Sequence, residues 1–180
     1  MLKRIEVLLL VSAVLAINLH LLLWPGAELI SIIAFAGLAL LYPFLSMALF
    51  LNENQNIRIS SMLPGLAFSI VLVGLMFKIQ MWPGYQTNLA IGSIALIILI
   101  IYSFTLKDPN LQLGFKVLRK RAIPMAIIAI IALMLPPYTW LETKYSDYPE
   151  YIEAIKQLDK NPDDLQIQQR IDSLQNHQLK

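Results

Sequence analysis

The sequence contains no cysteine, and only 14% of its 180 residues carry a charge. Without cysteine the chain can form no disulfide, no thiolate metal site and no thiol nucleophile. Soluble domains have about 25% charged residues, so the shortage of charge excludes an ordinary water-exposed surface over most of the chain. Apolar residues make up 57% of the sequence, and the mean hydropathy is +0.62. We therefore predict an integral membrane protein.

Two turns of the form Trp-Pro-Gly, 58 residues apart, divide the apolar runs. They consist of Trp24, Pro25 and Gly26, and of Trp82, Pro83 and Gly84. Proline has no backbone N–H and restricts the residue before it to extended geometry, whereas glycine readily adopts a positive φ. Tryptophan suits the interface between membrane and water. We interpret each turn as the reversal between two membrane-spanning helices.

The apolar runs predict an all-α integral membrane protein. Two hairpins with Trp-Pro-Gly turns form a four-helix bundle, and a fifth transmembrane helix follows. The transmembrane domain covers residues 1–141, with spans predicted at 5–23, 27–51, 61–81, 87–106 and 122–141.

Two of these spans have an alternative. Lys3 and Arg4 before the first apolar run also fit a secretory signal, but that run continues to Leu23 and is longer than a usual signal. Residues 122–135 are only 14 uninterrupted apolar residues, so this segment could instead lie in the membrane interface. Counting on to Leu141 gives 20 residues, which favours a crossing.

Residues 142–180 differ in composition from the rest of the chain. They contain 8 acidic and 5 basic side chains, and their apolar residues recur at helical spacing, so we predict a soluble helical hairpin. If five spans alternate, all the basic residues outside this tail except Lys78 fall on one side of the membrane. The positive-inside rule then predicts a cytoplasmic N-terminus and a periplasmic tail.

The second hairpin resembles a known family. Gly74 and the run Phe77-Lys78-Ile79-Gln80-Met81-Trp82-Pro83-Gly84 are similar to the pattern G-x-x-F-K-x-x-H-W-P-G of the GldL family. That family is the inner-membrane component of the gliding-motility and type IX secretion motor of Bacteroidota. The resemblance covers residues 72–106 and implies a bacterial inner-membrane protein.

The sequence departs from that family at two places. Met81 stands where the family has His, and residues 89–106 lack the buried Glu of the family's second helix. A proton-driven motor needs a titratable group within the membrane. The resemblance therefore implies a related hairpin that lacks the motor's proton pathway.

Lys78 and His20 occupy equivalent places in the two hairpins and are candidate interaction residues. Lys78 lies one turn before Trp82, so we expect its stem to snorkel to the interface and its ammonium to meet the indole ring. The alternative is a role in partner binding or in an ion pathway. His20 could titrate near neutral pH, but a hydrogen bond to a neighbouring helix is the simpler interpretation.

The remaining signals concern partners and function. The basic residues Lys116, Arg119, Lys120 and Arg121 predict a segment that lies on the membrane and binds anionic lipid rather than nucleic acid. The sequence has no glycine-rich phosphate loop, metal-ligand spacing or Ser/His/Asp set, so we predict no enzyme, metal or cofactor. We predict a structural or interaction protein, accessory to an envelope complex and able to form oligomers with itself or other membrane proteins. A small transporter is the alternative, because parallel repeats suit that role.

Overall fold

The computed structural model describes residues 2–22, 24, 26–50, 59–105, 109–136, 138–161 and 164–178. Over these residues the chain is helical and contains no strand, which confirms the all-α prediction at that level. The eight described α-helices are α1 (Leu2–Leu21), α2 (Ala27–Phe50), α3 (Leu63–Ile79), α4 (Tyr85–Thr105), α5 (Pro109–Met134), α6 (Thr139–Lys144), α7 (Pro149–Lys160) and α8 (Leu165–Gln178).

Two of the described helices, α2 and α4, are long and apolar enough to cross a membrane. They contain 24 and 21 residues, and the mean hydropathy is 2.1 in each. α3 is apolar but shorter, with 17 residues. Length and composition therefore favour membrane insertion for α2 and α4.

The first five helices pack in chain order, each against the one before it. α3 lies at the centre of this group, because it contacts α2, α4 and α5. Its residues Phe68 and Val71 are completely buried, and the ring of Phe68 stacks on Tyr42 of α2 with 4.8 Å between the ring centroids. The core is therefore built around α3.

The helices alternate in direction, so the molecule has two ends. The turn end carries Gly26 and Gly84, which join α1 to α2 and α3 to α4. We call the opposite end the basic end, because Lys116, Arg119 and Lys120 lie in the half of α5 that starts there. At this end the rings of Phe50 in α2 and Tyr102 in α4 contact the ring of Phe115 near the start of α5. Their centroids lie 5.1 and 5.6 Å from that of Phe115. α5 therefore runs from the basic end toward the turn end.

α5 differs in its bounds from the helix predicted over 122–141. It begins at Pro109 and ends at Met134, so the basic residues at 116–121 belong to this helix and not to a separate segment. Proline is favourable in the first turn of a helix, and Lys and Arg are good helix formers, which explains the early start. Pro136 explains the early end, because it disfavours helical geometry at the residue before it.

The tail lies beside the turn end. α6 contacts α1 and α7, and α7 packs against α8. The Tyr138 hydroxyl donates to the Asp159 carboxylate at 2.5 Å, and this bond raises the pKa of Tyr138 to about 12. Lys156 forms an ion pair with Glu142, also at 2.5 Å. These contacts link the start of the tail to α7.

Pro43 lies inside α2 and removes one backbone hydrogen bond. In a regular helix the N–H of residue 43 would donate to the carbonyl of Ala39, but proline has no N–H. The Ser69 hydroxyl of α3 lies 2.5 Å from the Ala39 oxygen and supplies the missing donor. Gly65 permits this approach, because a Cβ there would lie 2.4 Å from the Tyr42 carbonyl oxygen. The proline in α2 is therefore matched by a serine and a glycine in α3.

We expect Ser69→Ala to lower the free energy of unfolding by about 1–2 kcal/mol, because the Ala39 carbonyl loses its donor in a buried setting. Unfolding in detergent micelles, followed by circular dichroism, measures the change. The matched control is Ser173→Ala in α8, whose exposed hydroxyl bonds only to Arg170 of its own helix. Equal losses in the two variants would show that Ser69 has no special role at the Pro43 site.

Candidate functional site

The second Trp-Pro-Gly turn is the C-terminal cap of α3. Met81 adopts a left-handed conformation with φ of 59°. The Trp82 N–H donates to the Phe77 carbonyl at 2.8 Å, and the Met81 N–H donates to the Lys78 carbonyl at 3.2 Å. This pair of bonds defines the Schellman motif, in which two otherwise unpaired carbonyls of the last turn are satisfied.

The first turn repeats this arrangement. The Trp24 N–H donates to the Leu19 carbonyl at 3.0 Å, which matches the bond from Trp82 to Phe77. Gly26 and Gly84 have φ of 89° and 86°, a conformation that side chains rarely adopt. Pro25 lies outside the described residues. The sequence repeat is therefore a repeat of one helix cap and of one left-handed glycine.

Trp82 does not contact Lys78 as the sequence predicted. Its ring packs edge-on against Phe77, with 5.4 Å between centroids. Such a contact between the residue after the cap and the last helical turn commonly accompanies a Schellman motif. The order of Phe77, Lys78 and Trp82 in this hairpin thus places Phe77 against Trp82 and leaves Lys78 on another face.

Lys78 points into the protein, with only 7% of its surface exposed. Its ammonium donates to the carbonyls of Ala132 and Leu135 at the end of α5, the second at 2.9 Å. The ring of Tyr85 lies 5.3 Å from the Lys78 nitrogen, close enough for a cation–π contact. The predicted snorkelling to the interface is replaced by a buried contact with α5.

Pro136 explains why α5 needs this lysine. The N–H of residue 136 would bond to the Ala132 carbonyl, but proline has none. The last carbonyls of a helix also carry partial negative charge, which favours a cation beside them. Lys78 supplies both the donor and the charge. It fixes the end of α5 against the end of α3, a few residues before α6 begins at Thr139.

His20 is the equivalent of Lys78 in the first hairpin. It lies in α1, near the end of the helix. The contacts of its side chain lie outside the described part of the chain, so its predicted hydrogen bond to a neighbouring helix stays a prediction.

A second buried charge ties α1 to α5 near the basic end. The Arg121 guanidinium donates to the Glu6 carboxylate at 2.6 Å, and the exposed fractions of the two side chains are 26% and 7%. Tyr42 of α2 lies close enough to this pair to interact with both charges. The sequence pattern predicted that Arg121 binds lipid and predicted no role for Glu6. The available signal was an acid at the start of one apolar run and a base at the start of another.

The other predicted lipid-binding residues remain on the surface of α5. Lys116 and Lys120 are exposed, and the Arg119 guanidinium lies 4.1 Å from the centroid of the Phe104 ring on α4. Arg121 is the exception, because its partner is Glu6. Three of the four basic residues of α5 thus lie on its surface, and the fourth, Arg121, forms an internal ion pair.

Gln80 links α3 to α2 at the turn end. Its amide donates to the Ser31 hydroxyl at 2.6 Å, and the Ser31 hydroxyl donates to the Glu28 carbonyl at 2.8 Å. With Lys78, this makes two polar contacts from the last turns of α3 to other helices. Within the described residues, no group of three His, Asp or Glu side chains is arranged to hold a metal ion. The site that these residues build is a set of helix-to-helix contacts.

Comparison with protein families, with characterised proteins and with solved structures found no match to this chain. The resemblance to the GldL family therefore stays a prediction from the hairpin motif.

We expect Lys78→Met to lower the free energy of unfolding by about 2–3 kcal/mol, because it leaves the buried Ala132 carbonyl and the partly buried Leu135 carbonyl without a charged donor. Methionine keeps most of the side-chain length, so the loss reports the ammonium. Thermal unfolding in detergent measures it, and hydrogen exchange in α6 should also increase because α5 is no longer held at its end.

The control for this variant is Lys156→Met, which removes a lysine from a surface ion pair in the tail. Surface pairs contribute up to about 1 kcal/mol, so the control should stay close to the parent. A Lys78→Met protein as stable as the control would mean that the ammonium lies in the interface, as the sequence first indicated.

A double-mutant cycle tests the Glu6–Arg121 pair. We expect Glu6→Gln and Arg121→Gln each to cost on the order of 3 kcal/mol, because each leaves the opposite charge in a poorly solvated place. The double variant should cost much less than their sum. The surface pair Glu142 and Lys156 provides the comparison cycle, with coupling below about 1 kcal/mol. Additive losses at Glu6 and Arg121 would contradict the proposed pairing.

Proposed function

We propose that this chain is a non-catalytic, multi-pass protein of the bacterial inner membrane, in which the transmembrane helices hold the tail for interaction with other envelope proteins. The observation that carries the proposal is that the buried charged side chains bind groups within the chain. Lys78, Glu6 and Arg121 each bind a group on another helix of the same chain. They stabilise one arrangement of α5, from which the tail follows.

The outer surface of the helices supports a lipid environment. Large apolar side chains are exposed on α1, α2, α4 and α5. The exposed residues recur along whole helices, as with Ile94, Ile98 and Ile101 on α4. Soluble monomers rarely expose apolar patches larger than a few hundred Å². In a hydrocarbon environment these apolar side chains are not exposed to water, so such a surface is favourable there.

The polar contacts between helices also suit a membrane interior. In hydrocarbon a carbonyl freed by proline cannot bond to water, so another helix must supply the donor. Ser69 does so at Ala39, and Lys78 does so at Ala132. Pro43 and Pro136 are therefore compatible with helices inside a membrane.

The orientation in this proposal follows from the basic residues. Lys116, Arg119 and Lys120 lie in the first half of α5, at the basic end, and the tail lies beside the turn end. The positive-inside rule places the basic end in the cytoplasm. The tail is then periplasmic, and its acidic character and partly apolar helices suit a docking element for another envelope protein.

One labelling experiment tests both location and role. The chain has no native cysteine, so Asp172→Cys in α8 and Asn54→Cys between α2 and α3 are clean single-cysteine variants. Intact spheroplasts of the source bacterium are treated with a membrane-impermeant maleimide that carries a photoreactive group. We expect Asp172→Cys to react and, after illumination, to give a discrete adduct of higher mass. Asn54→Cys should react only after permeabilisation.

The outcomes separate the parts of the proposal. Labelling of Asn54→Cys alone would reverse the orientation. Labelling of Asp172→Cys without any adduct would contradict a docking role for the tail. Recovery of the protein in the soluble fraction after cell lysis would contradict membrane insertion itself.

A further inference from the structure

We propose that α5 and α4 together form a binding site for one anionic phospholipid at the basic end, with the headgroup held by Lys116, Arg119 and Lys120. This proposal rests on the proposed membrane location and adds the chemical class of the ligand and the residues that bind it. It also removes Arg121 from the lipid-binding group.

The three cations share one face of α5. Residues three and four apart lie on the same side of a helix, and Lys116, Arg119 and Lys120 have this spacing. The side chains of Lys116 and Lys120 are exposed. Arg121 is turned away and pairs with Glu6. Three positive charges are thus presented within about one helical turn.

Phe104 of α4 holds the Arg119 side chain in place beside the two lysines. The Arg119 guanidinium lies over the Phe104 ring at 4.1 Å, while 66% of Phe104 remains exposed. A cation–π contact holds the arginine without neutralising its charge. Guanidinium is also well shaped to bind two phosphate oxygens at once. Arg119 is therefore positioned at the junction of α4 and α5 to contact a phosphate.

The exposed face of α5 changes from basic to apolar just beyond Lys120. Ile123, Ile127 and Ile131 follow at helical spacing, and all three are exposed. On α4, Ile101 is exposed one turn before Phe104. A phospholipid has the same order along its length, with a charged headgroup and then hydrocarbon chains. The sequence of side chains along this face matches a lipid that lies parallel to α5.

Charge decides which headgroup fits. The sequences of α4 and α5 contain no acidic residue, so the cations of this face have no carboxylate on either helix to balance them. A zwitterionic headgroup brings its own positive charge to the site. An anionic headgroup brings net negative charge, which the nearby Lys and Arg side chains attract. We therefore commit to an anionic phospholipid.

The test counts bound lipid on the purified full-length protein. Native mass spectrometry in detergent, with added phosphatidylglycerol or phosphatidylcholine, measures the apparent affinity for each. We expect selective binding of phosphatidylglycerol, and a loss on the order of tenfold in the variant Lys116→Gln/Lys120→Gln. Lys116→Arg/Lys120→Arg, which keeps both charges, should bind as the parent does.

The matched control removes the same amount of charge from the tail. Lys160→Gln/Arg170→Gln replaces two exposed cations of α7 and α8 and should keep phosphatidylglycerol selectivity. Equal losses in the two glutamine variants would show a general charge effect and overturn the site. Competition by glycerol phosphate as strong as by the lipid would show a free phosphate site instead. A protein that stays in the membrane fraction but has no phosphatidylglycerol preference would refute this inference alone and leave the proposed function standing.

Discussion

The arrangement of the helices depends on carbonyl groups that proline leaves without a donor. Pro43 frees the Ala39 carbonyl inside α2, and Pro136 frees the Ala132 carbonyl at the end of α5. α3 supplies both donors, from Ser69 and from Lys78. A buried carbonyl without a partner costs on the order of 1–3 kcal/mol. These two costs fix the position of α3 between its neighbours more specifically than apolar contact does.

α5 is held by charged groups at its C-terminal end and at its middle. Lys78 binds its last carbonyls, and Glu6 binds Arg121 in its first half. The two contacts come from different helices, α3 and α1, so α5 cannot shift along its axis without breaking one of them. Since α5 leads directly to the tail, these contacts also set where the tail begins. Such a fixed base suits the docking role that we propose for the tail.

The sequence repeat is a repeat of backbone geometry and not of chemistry. Both Trp-Pro-Gly turns close a helix with the same bond from the tryptophan N–H and place glycine at a positive φ. The side chain one turn earlier differs, with His20 in one hairpin and Lys78 in the other. Lys78 has a helix end to bind because α5 packs against α3. The turn motif is therefore structural, and in the second copy the lysine binds the helix end that α5 places beside it.

The sequence alone determined the features that depend on neighbouring residues. Long apolar runs predicted the helices, and proline followed by glycine predicted the two turns, because these residues limit φ and the backbone donors locally. It also separated the charged tail from the apolar part of the chain. The end of α5 at Met134 also depends on neighbouring residues, because Pro136 and Pro137 follow it. Counting apolar residues nevertheless extended the predicted helix too far, to Leu141.

Only the tertiary structure decided the partners of the charges. Lys78 bonds to a carbonyl 54 residues away, and Arg121 bonds to an acid 115 residues away. An isolated sequence indicates that a buried lysine needs acceptors, but any helix end or acid at the same depth could supply them. The packing of α5 against α3 and α1 determines the partners of Lys78 and Arg121. It removes water from these groups and leaves one set of partners within hydrogen-bonding distance.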